Sequence, residues 1–186
     1  MQLTELQTAR TIMRPFSEKD AIEAFSWFGD PDVMKFTPHG PDTTLESTIE
    51  RIDHYLEHQS KHGCAKWIIL DRNSMKPIGD SGPMYFPECQ RFELGYRLLP
   101  GYWNKGLATE VASTWVHHYF QILGLNNLMA YTHPDNLASI RVLEKVGFKF
   151  THQERLMGME SMVFNMPSYD EAGTYDAPGT RRIVRN

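Results

Sequence analysis

Between Leu98 and Glu110 the chain reads LLPGYWNKGLATE: a strand ends at Pro-Gly, passes through a glycine-containing loop and enters a helix. This order makes a strand and a helix meet at one point. A helix N-terminus leaves several backbone N–H groups without partners and carries partial positive charge, which favours a phosphate. Gly106 lets the backbone come close to a ligand because it has no Cβ. Ala108 keeps the first turn small, and Lys105 adds a charge. The same residues also read as an ordinary strand–helix turn. A P-loop does not fit, since Lys105 precedes Gly106 and no Gly-Lys-Ser/Thr occurs. The glycines of a dinucleotide-binding fingerprint are missing too.

The flanking pattern is mixed. Thr11 to Phe16 predicts a first strand, and Ser17 an N-cap for a helix stopped at Gly29-Asp30-Pro31. Phe36 to Pro41 is loop chemistry. Thr43 or Thr44 opens a second helix to Lys61, with Ile49, Ile52 and Leu56 at helical spacing. CAKWIILDR from Cys64 and KPIGDSGPMYF from Lys76 predict strands around a turn at Asn73-Ser74, and Arg91 to Leu99 a third strand of this meander. Phe92, Leu94, Tyr96 and Leu98 share one side of it. Leu107 to Leu123 is expected to be helical, with Ala108, Ala112, Trp115, Tyr119 and Ile122 on one stripe. A strand at Asn127 to Thr132, a helix at Asp135 to Val146, and strands at Phe148 to Gln153 and Ser161 to Met166 complete the chain. This order indicates an α/β or α+β domain.

With 186 residues, 41% of them hydrophobic and 23% charged, the chain is the size of one domain with its own core. After Pro167 the composition shifts to SYDEAGTYDAPGTRRIVRN, expected to be a tail that is weakly structured or packed on the domain. The net charge of -4 argues against a nucleic-acid surface. Cys64 and Cys89 have neither metal spacing nor a disulfide framework, and read as reduced thiols. The polar start and the lack of a long apolar run point to a cytoplasmic protein with no membrane partner.

The chain resembles the GNAT superfamily of N-acetyltransferases. That family's pyrophosphate loop, Gln/Arg-x-x-Gly-x-Gly/Ala, is met at Gly106 and Ala108 and departs at Trp103. Tyr102-Trp103-Asn104-Lys105-Gly106-Leu107-Ala108-Thr109-Glu110 is similar to the branch that acetylates ribosomal-protein N-termini, the ribosomal-protein-alanine N-acetyltransferases. Glu93-Leu94-Gly95-Tyr96 before it resembles that branch, as do Asn136-x-x-Ser139 and Lys145-x-Gly147-Phe148 after it. The resemblance spans residues 10–167, leaving 168–186 as the tail. It implies a single-domain GNAT-like fold whose mixed central sheet, flanked by helices, splays at an acetyl-CoA cleft. Acetyl-CoA would be the co-substrate, with no metal. The partner would be a small-molecule or peptide amine, and the protein a monomer or homodimer. The backbone of Arg97 to Leu99 would pair with pantetheine, and a backbone N–H there would polarise the thioester carbonyl. Asn104, Lys105, Gly106, Leu107, Ala108, Thr109 and Asn136 would hold the rest of the cofactor.

Acyl transfer to an amine needs an uncharged amine, a stabilised oxyanion and a proton for the departing thiolate. Glu93, on the face opposite Phe92 and Leu94, is either the proton acceptor or a solvated strand carboxylate. Asn136, Ser139 and Leu143 share a helix face, or else Asp135 or Asn136 simply caps the helix. Many GNAT enzymes carry a tyrosine at Leu143 as general acid; here Ser139 is the nearest donor on the stripe, or else a packed helix hydroxyl. Leucine at that place leaves room for a non-catalytic acyl-CoA-binding or regulatory module, and a purely structural domain is a third reading. His133 is a second candidate base. His54, His58 and His62 repeat at i, i+4, i+8 and are read as a solvated face rather than a metal site. Neither cysteine has a recognisable base beside it, so direct transfer is expected over an acetyl-cysteine route. Trp27, Phe28, Phe36, Tyr85 and Phe86 either line the acceptor groove or belong to the core.

Overall fold

The structure, a computed structural model, describes residues 5–87 and 89–167. The tail expected at 168–186 lies outside the described residues. One eight-stranded sheet runs through the molecule in the order β1 (Leu6–Gln7), β2 (Thr11–Pro15), β3 (Trp67–Asp71), β4 (Pro77–Phe86), β5 (Arg91–Leu98), β6 (Leu128–Thr132), β8 (Met159–Asn165), β7 (Lys149–Leu156). Every neighbouring pair is antiparallel except β5 and β6, which are parallel. Helices α1 (Ala21–Phe28), α2 (Pro31–Met34) and α3 (Leu45–His62) precede the central strands; α4 (Leu107–His117) and α5 (Leu137–Val146) follow them. Among the described residues no helix is long and apolar enough to cross a membrane.

The period-2 geometry of β3 divides the core. Trp67 and Ile69 pack with the α4 and α5 residues Val111, Trp115 and Val146, while Ile68 and Leu70 pack with Trp27, Phe28 and Ile52 of α1 and α3. Both faces of the sheet are therefore covered, which is why WIILD reads as a continuous apolar run.

Local signals set most boundaries. The Thr44 hydroxyl accepts the N–H of Ser47 at 3.3 Å to start α3, and the side chain of Asn136 accepts that of Ser139 at 3.1 Å to start α5. The expected helix after Ser17 begins as a single 3-10 turn at Glu18–Asp20. Asp30 caps α2 through the N–H groups of Asp32 and Val33, an element not anticipated from the sequence.

One helix departs from expectation. From His118 to Ile122 the chain widens into a π-turn, with the Leu123 N–H donating to the His118 carbonyl at 3.0 Å. The wider turn rotates the following residues off the α stripe. Ala112, Trp115 and Tyr119 are buried as expected, but Ile122 is 61% exposed.

Candidate active site

The site begins where β5 and β6 part. Their parallel pairing covers only Phe92 with Leu128 and Glu93 with Met129, although β5 continues to Leu98 and β6 to Thr132. The strands splay beyond that point, as the sequence resemblance implies. On the β4 side, the Leu99 N–H donates to the Ile78 carbonyl at 2.9 Å, which makes Leu98 and Gly79 a non-hydrogen-bonded pair. Alternation then turns the backbone groups of Tyr96 and Leu98 toward the gap. The amide of Leu99 is committed to β4, and the carbonyl of Leu98 accepts the indole N–H of Trp103 at 2.6 Å. The open edge is thus carried by Tyr96 and the N–H of Leu98, and not by Arg97 or Leu99 as expected, because their backbone groups face β4.

A cavity of about 720 Å³ occupies this gap and reaches both faces of the sheet. Glu93, Asn136 and Ser139 line it. Leu98, Leu99 and the loop Asn104 to Thr109 do not line it, and Leu98 and Leu107 are buried in the core. His133 also lies off the cavity wall: its ring stacks on Phe36 at 5.4 Å, and its Nδ1 accepts the Asp135 N–H at 3.1 Å.

Glu93 is not a solvated carboxylate. It is buried, and its Oε2 lies 3.0 Å from the ammonium of Lys66, which is buried as well. Burial lowers the Lys66 pKa from its ordinary value, although Glu93 opposes the shift. Gly95 makes room for the pair, since a Cβ there would lie 2.5 Å from Lys66 Nζ and 2.8 Å from Glu93 Oε1. Lys66 carries no motif signal; only the register of the meander brings it to Glu93.

On the other face, the hydroxyl of Ser139 lies 3.0 Å from that of Tyr96. Burial pushes the Tyr96 phenol well above its ordinary pKa, so it remains a neutral hydroxyl. Tyr96 is doubly placed, in the apolar cluster under α4 and α5 and at the gap. Its strand alternation signalled only the first. Tyr131 of β6 also lines the gap, and burial raises its pKa too.

The histidine face is solvated only in part: His54 is exposed and His62 half-buried. His58 is buried, donates from Nδ1 to the Cys64 carbonyl at 2.7 Å and accepts the Tyr85 N–H on Nε2 at 2.7 Å. With both nitrogens used, the ring is neutral, and burial lowers its pKa to about 4. His62 stacks on Tyr85 at 5.0 Å, so this helix face packs against β4 and forms a cavity wall. Among the described residues no group of His, Cys, Asp and Glu could hold a metal ion. Of the five aromatics expected at the groove or in the core, Phe36, Tyr85 and Phe86 line the cavity, whereas Trp27 and Phe28 are fully buried. The Cys64 thiol is buried and pushed up to about 12, which makes it a poor nucleophile.

The loop before α4 is braced from a distance. Gly106 adopts φ 76° as N-cap, and no side chain caps the helix. Arg10 donates to the Lys105 carbonyl at 2.7 Å and pairs with Glu110 in the first turn of α4, also at 2.7 Å. Lys105 folds back to the Gly101 carbonyl at 2.6 Å. The remaining first-turn N–H groups of α4 point out of the helix end.

A sheet splayed at its single parallel junction, with a glycine-capped helix leaving the strand that borders the gap, defines an acyl-CoA-dependent acetyltransferase fold. The family model for the acetyltransferase (GNAT) domain matches residues 10–149. The chain belongs to this family and is an acetyltransferase. It is 33% identical over 146 residues to the uncharacterized N-acetyltransferase YoaA of Bacillus subtilis (strain 168), covering 77% of this chain and 82% of that protein. In fold it resembles the ribosomal-protein-S5-alanine acetyltransferase of Vibrio fischeri, with a TM-score of 0.74 at 20% identity over 89% of this chain and 97% of that one. It is also similar to RimL, a ribosomal L7/L12 alpha-N-protein acetyltransferase in complex with coenzyme A, with a TM-score of 0.74 at 13% identity over 88% of this chain and 98% of that one.

Proposed function

We propose that this protein moves an acetyl group from acetyl-CoA directly to a primary amine, with Glu93 as proton acceptor and Ser139, backed by Tyr96, as proton donor. The observation that carries the reading is the distribution of these groups across one gap. Glu93 and Lys66 lie on the side of α3, while Ser139 and Tyr96 lie on the side of α5, and a single cavity joins them. The amine would enter along α3 and the thioester would lie along the open edge of β5.

The residues present suit the cofactor. The backbone of Tyr96 and Leu98 offers strand-edge hydrogen bonds, and the free first-turn N–H groups at Gly106 to Thr109 suit a pyrophosphate. Asn104 and Lys105 border that loop, and Asn136 lines the cavity at the start of α5. Acetyl-CoA supplies an activated acyl group with a thiolate leaving group.

Glu93 takes the proton that the ammonium form of the acceptor must lose before nitrogen can attack. Lys66 balances the carboxylate charge in its buried setting. Nitrogen attacks the thioester carbon to form the C–N bond, and a backbone N–H on the open edge of β5 steadies the resulting oxyanion. The C–S bond then breaks while the second proton on nitrogen leaves to water. Ser139 returns a proton to sulfur and is resupplied through the Tyr96 hydroxyl. A free-thiol release assay with acetyl-CoA and a panel of amines, including peptides with free N-termini, tests the reading. Release of CoA with stoichiometric N-acetyl product supports it; no acetylated product with any amine defeats it.

A further inference from the structure

Two arginines in the acceptor wall are fixed along one edge and open along the other. Arg97 donates from Nε and Nη2 to Asp80 at 2.8 and 2.5 Å, and from Nη2 to the Tyr55 hydroxyl at 2.9 Å. Arg51 donates from Nε and Nη2 to Asp42 at 3.2 and 2.5 Å. Each guanidinium stands 4.9 Å from the centroid of the Phe28 ring, and both residues line the cavity. A guanidinium carries five N–H donors. These contacts use the Nε–Nη2 edge, so two donors remain on each Nη1. Among the described residues no protein acceptor meets either Nη1, yet neither atom is sealed from open space. Both side chains are thus rigid, charged and incompletely used.

The rest of this side adds one further cation, Lys61, and two imidazoles. His54, Lys61 and His62 of α3 line the same side. Of the carboxylates there, Glu93 is paired with Lys66, and Glu57 is exposed on α3. Arg97 lies four residues beyond Glu93 on the same face of β5, about 13 Å along the strand. An acceptor reaching from one to the other must span several bonds.

We propose that the acceptor carries a carboxylate several bonds from its amine, held by the free Nη1 edges of Arg51 and Arg97 while the amine sits at Glu93. This rests on the assignment of the cavity as the acceptor site. The chemistry fits an ω-amino carboxylate or a peptide whose N-terminus is followed by an acidic side chain. Guanidinium–carboxylate contacts are charge-assisted and geometrically specific, whereas an amide in the carboxylate's place leaves these donors poorly matched.

Matched acceptors test the idea on the unaltered protein. With acetyl-CoA saturating, 6-aminohexanoate is compared with 6-aminohexanamide, and a free-N-terminal tetrapeptide with Glu at its second position with its Gln counterpart. The expected result is a kcat/KM about ten- to a hundredfold higher for the carboxylate member of at least one pair, expressed mainly in KM. The pair that shows it identifies the source. Arg51→Gln should collapse that ratio toward unity, with folding checked by thermal denaturation. Calorimetric titration of the same four compounds into the CoA-loaded protein gives a readout independent of turnover. Carboxylate-selective binding without turnover would keep this inference and count against the proposed reaction. Turnover or binding with no carboxylate preference in either pair would overturn the inference and leave the reaction standing.

Discussion

The ammonium of Lys66 lies 3.0 Å from Oε2 of Glu93, and the two side chains are buried together at the point where β5 leaves β6. A buried pair of this kind is costly to break, because the survivor is left as an uncompensated charge. Glu93→Gln keeps the shape and removes the basicity. The acetylation rate should fall by about 10²–10⁴-fold, most at low pH, and recover as the pH rises and more amine is unprotonated. Steady-state pH profiles check this; superimposable profiles would move the base role to water.

Lys66→Met should destabilise the fold by about 3–5 kcal/mol, since it strands the carboxylate. The double variant Lys66→Met with Glu93→Gln should recover much of that loss. Urea denaturation of the three variants measures the coupling, and an additive double variant would show that the pair is not linked in stability.

Ser139→Ala and Tyr96→Phe each remove one member of the hydroxyl pair. A thiol leaving group has a pKa near 8.5, so the demand for an acid is modest. Each substitution should lower kcat by up to about 10²-fold, with CoA affinity nearly unchanged. Tyr96→Phe retains the ring that packs under α4 and α5, which makes it the cleaner probe. A wild-type kcat in both would leave Ser139 as a helix hydroxyl.

Gly106 sits at φ 76° with only Arg10 Nη2, at 3.5 Å, near a Cβ placed there. The cost of Gly106→Val in the free protein is therefore conformational, about 1–2 kcal/mol, rather than steric. Crowding should appear with the ligand, so that CoA affinity falls by more than that strain accounts for. Gly106→Asn tolerates the left-handed backbone and isolates the crowding. Calorimetry with CoA on both variants decides; unchanged affinity would remove this loop from the cofactor site.

His58 gives the fold a pH dependence of known sign. Its ring titrates near 6.5 when unfolded and at about 4 when buried. The unfolded chain binds the extra proton first, so the stabilisation is complete above about pH 6.5 and is lost as pH falls through about 4. One such histidine should make the protein about 1–2 kcal/mol less stable at pH 5 than at pH 7. His58→Gln should flatten that slope in urea denaturation at the two pH values. An unaltered slope would place the pH dependence elsewhere.

What was legible in the sequence was local. Thr44, Asn136 and Gly147 mark helix ends because capping is decided within one turn. The alternation of Phe92, Leu94, Tyr96 and Leu98 gave β5 and placed Glu93 on the other side. What was missed depends on partners far along the chain. Arg10 and Glu110 are 100 residues apart, and the Lys66–Glu93 pair exists only because β3, β4 and β5 fold into register. His58 and His62 read as a wet face because their contacts are with Tyr85 of β4, far along the chain, while His54 is exposed as the spacing suggested. Ile122 was misplaced because a π-turn leaves no simple pattern in side-chain polarity.

The short β5–β6 junction makes the sheet two plates joined by a narrow seam, with five strands on one side and three on the other. Beyond Glu93 each plate presents an edge that the other does not complete. A molecule lying in the opening acts as a splint, taking the place of the missing rungs and tying the plates together. Its departure returns the seam to its two surviving rungs. What spans the two sides beyond that seam is the core beneath α4 and α5, where Leu94 and Leu98 of β5 pack with Leu128 and Ala130 of β6, so the opening is held apart by side chains and left unclosed only by the backbone.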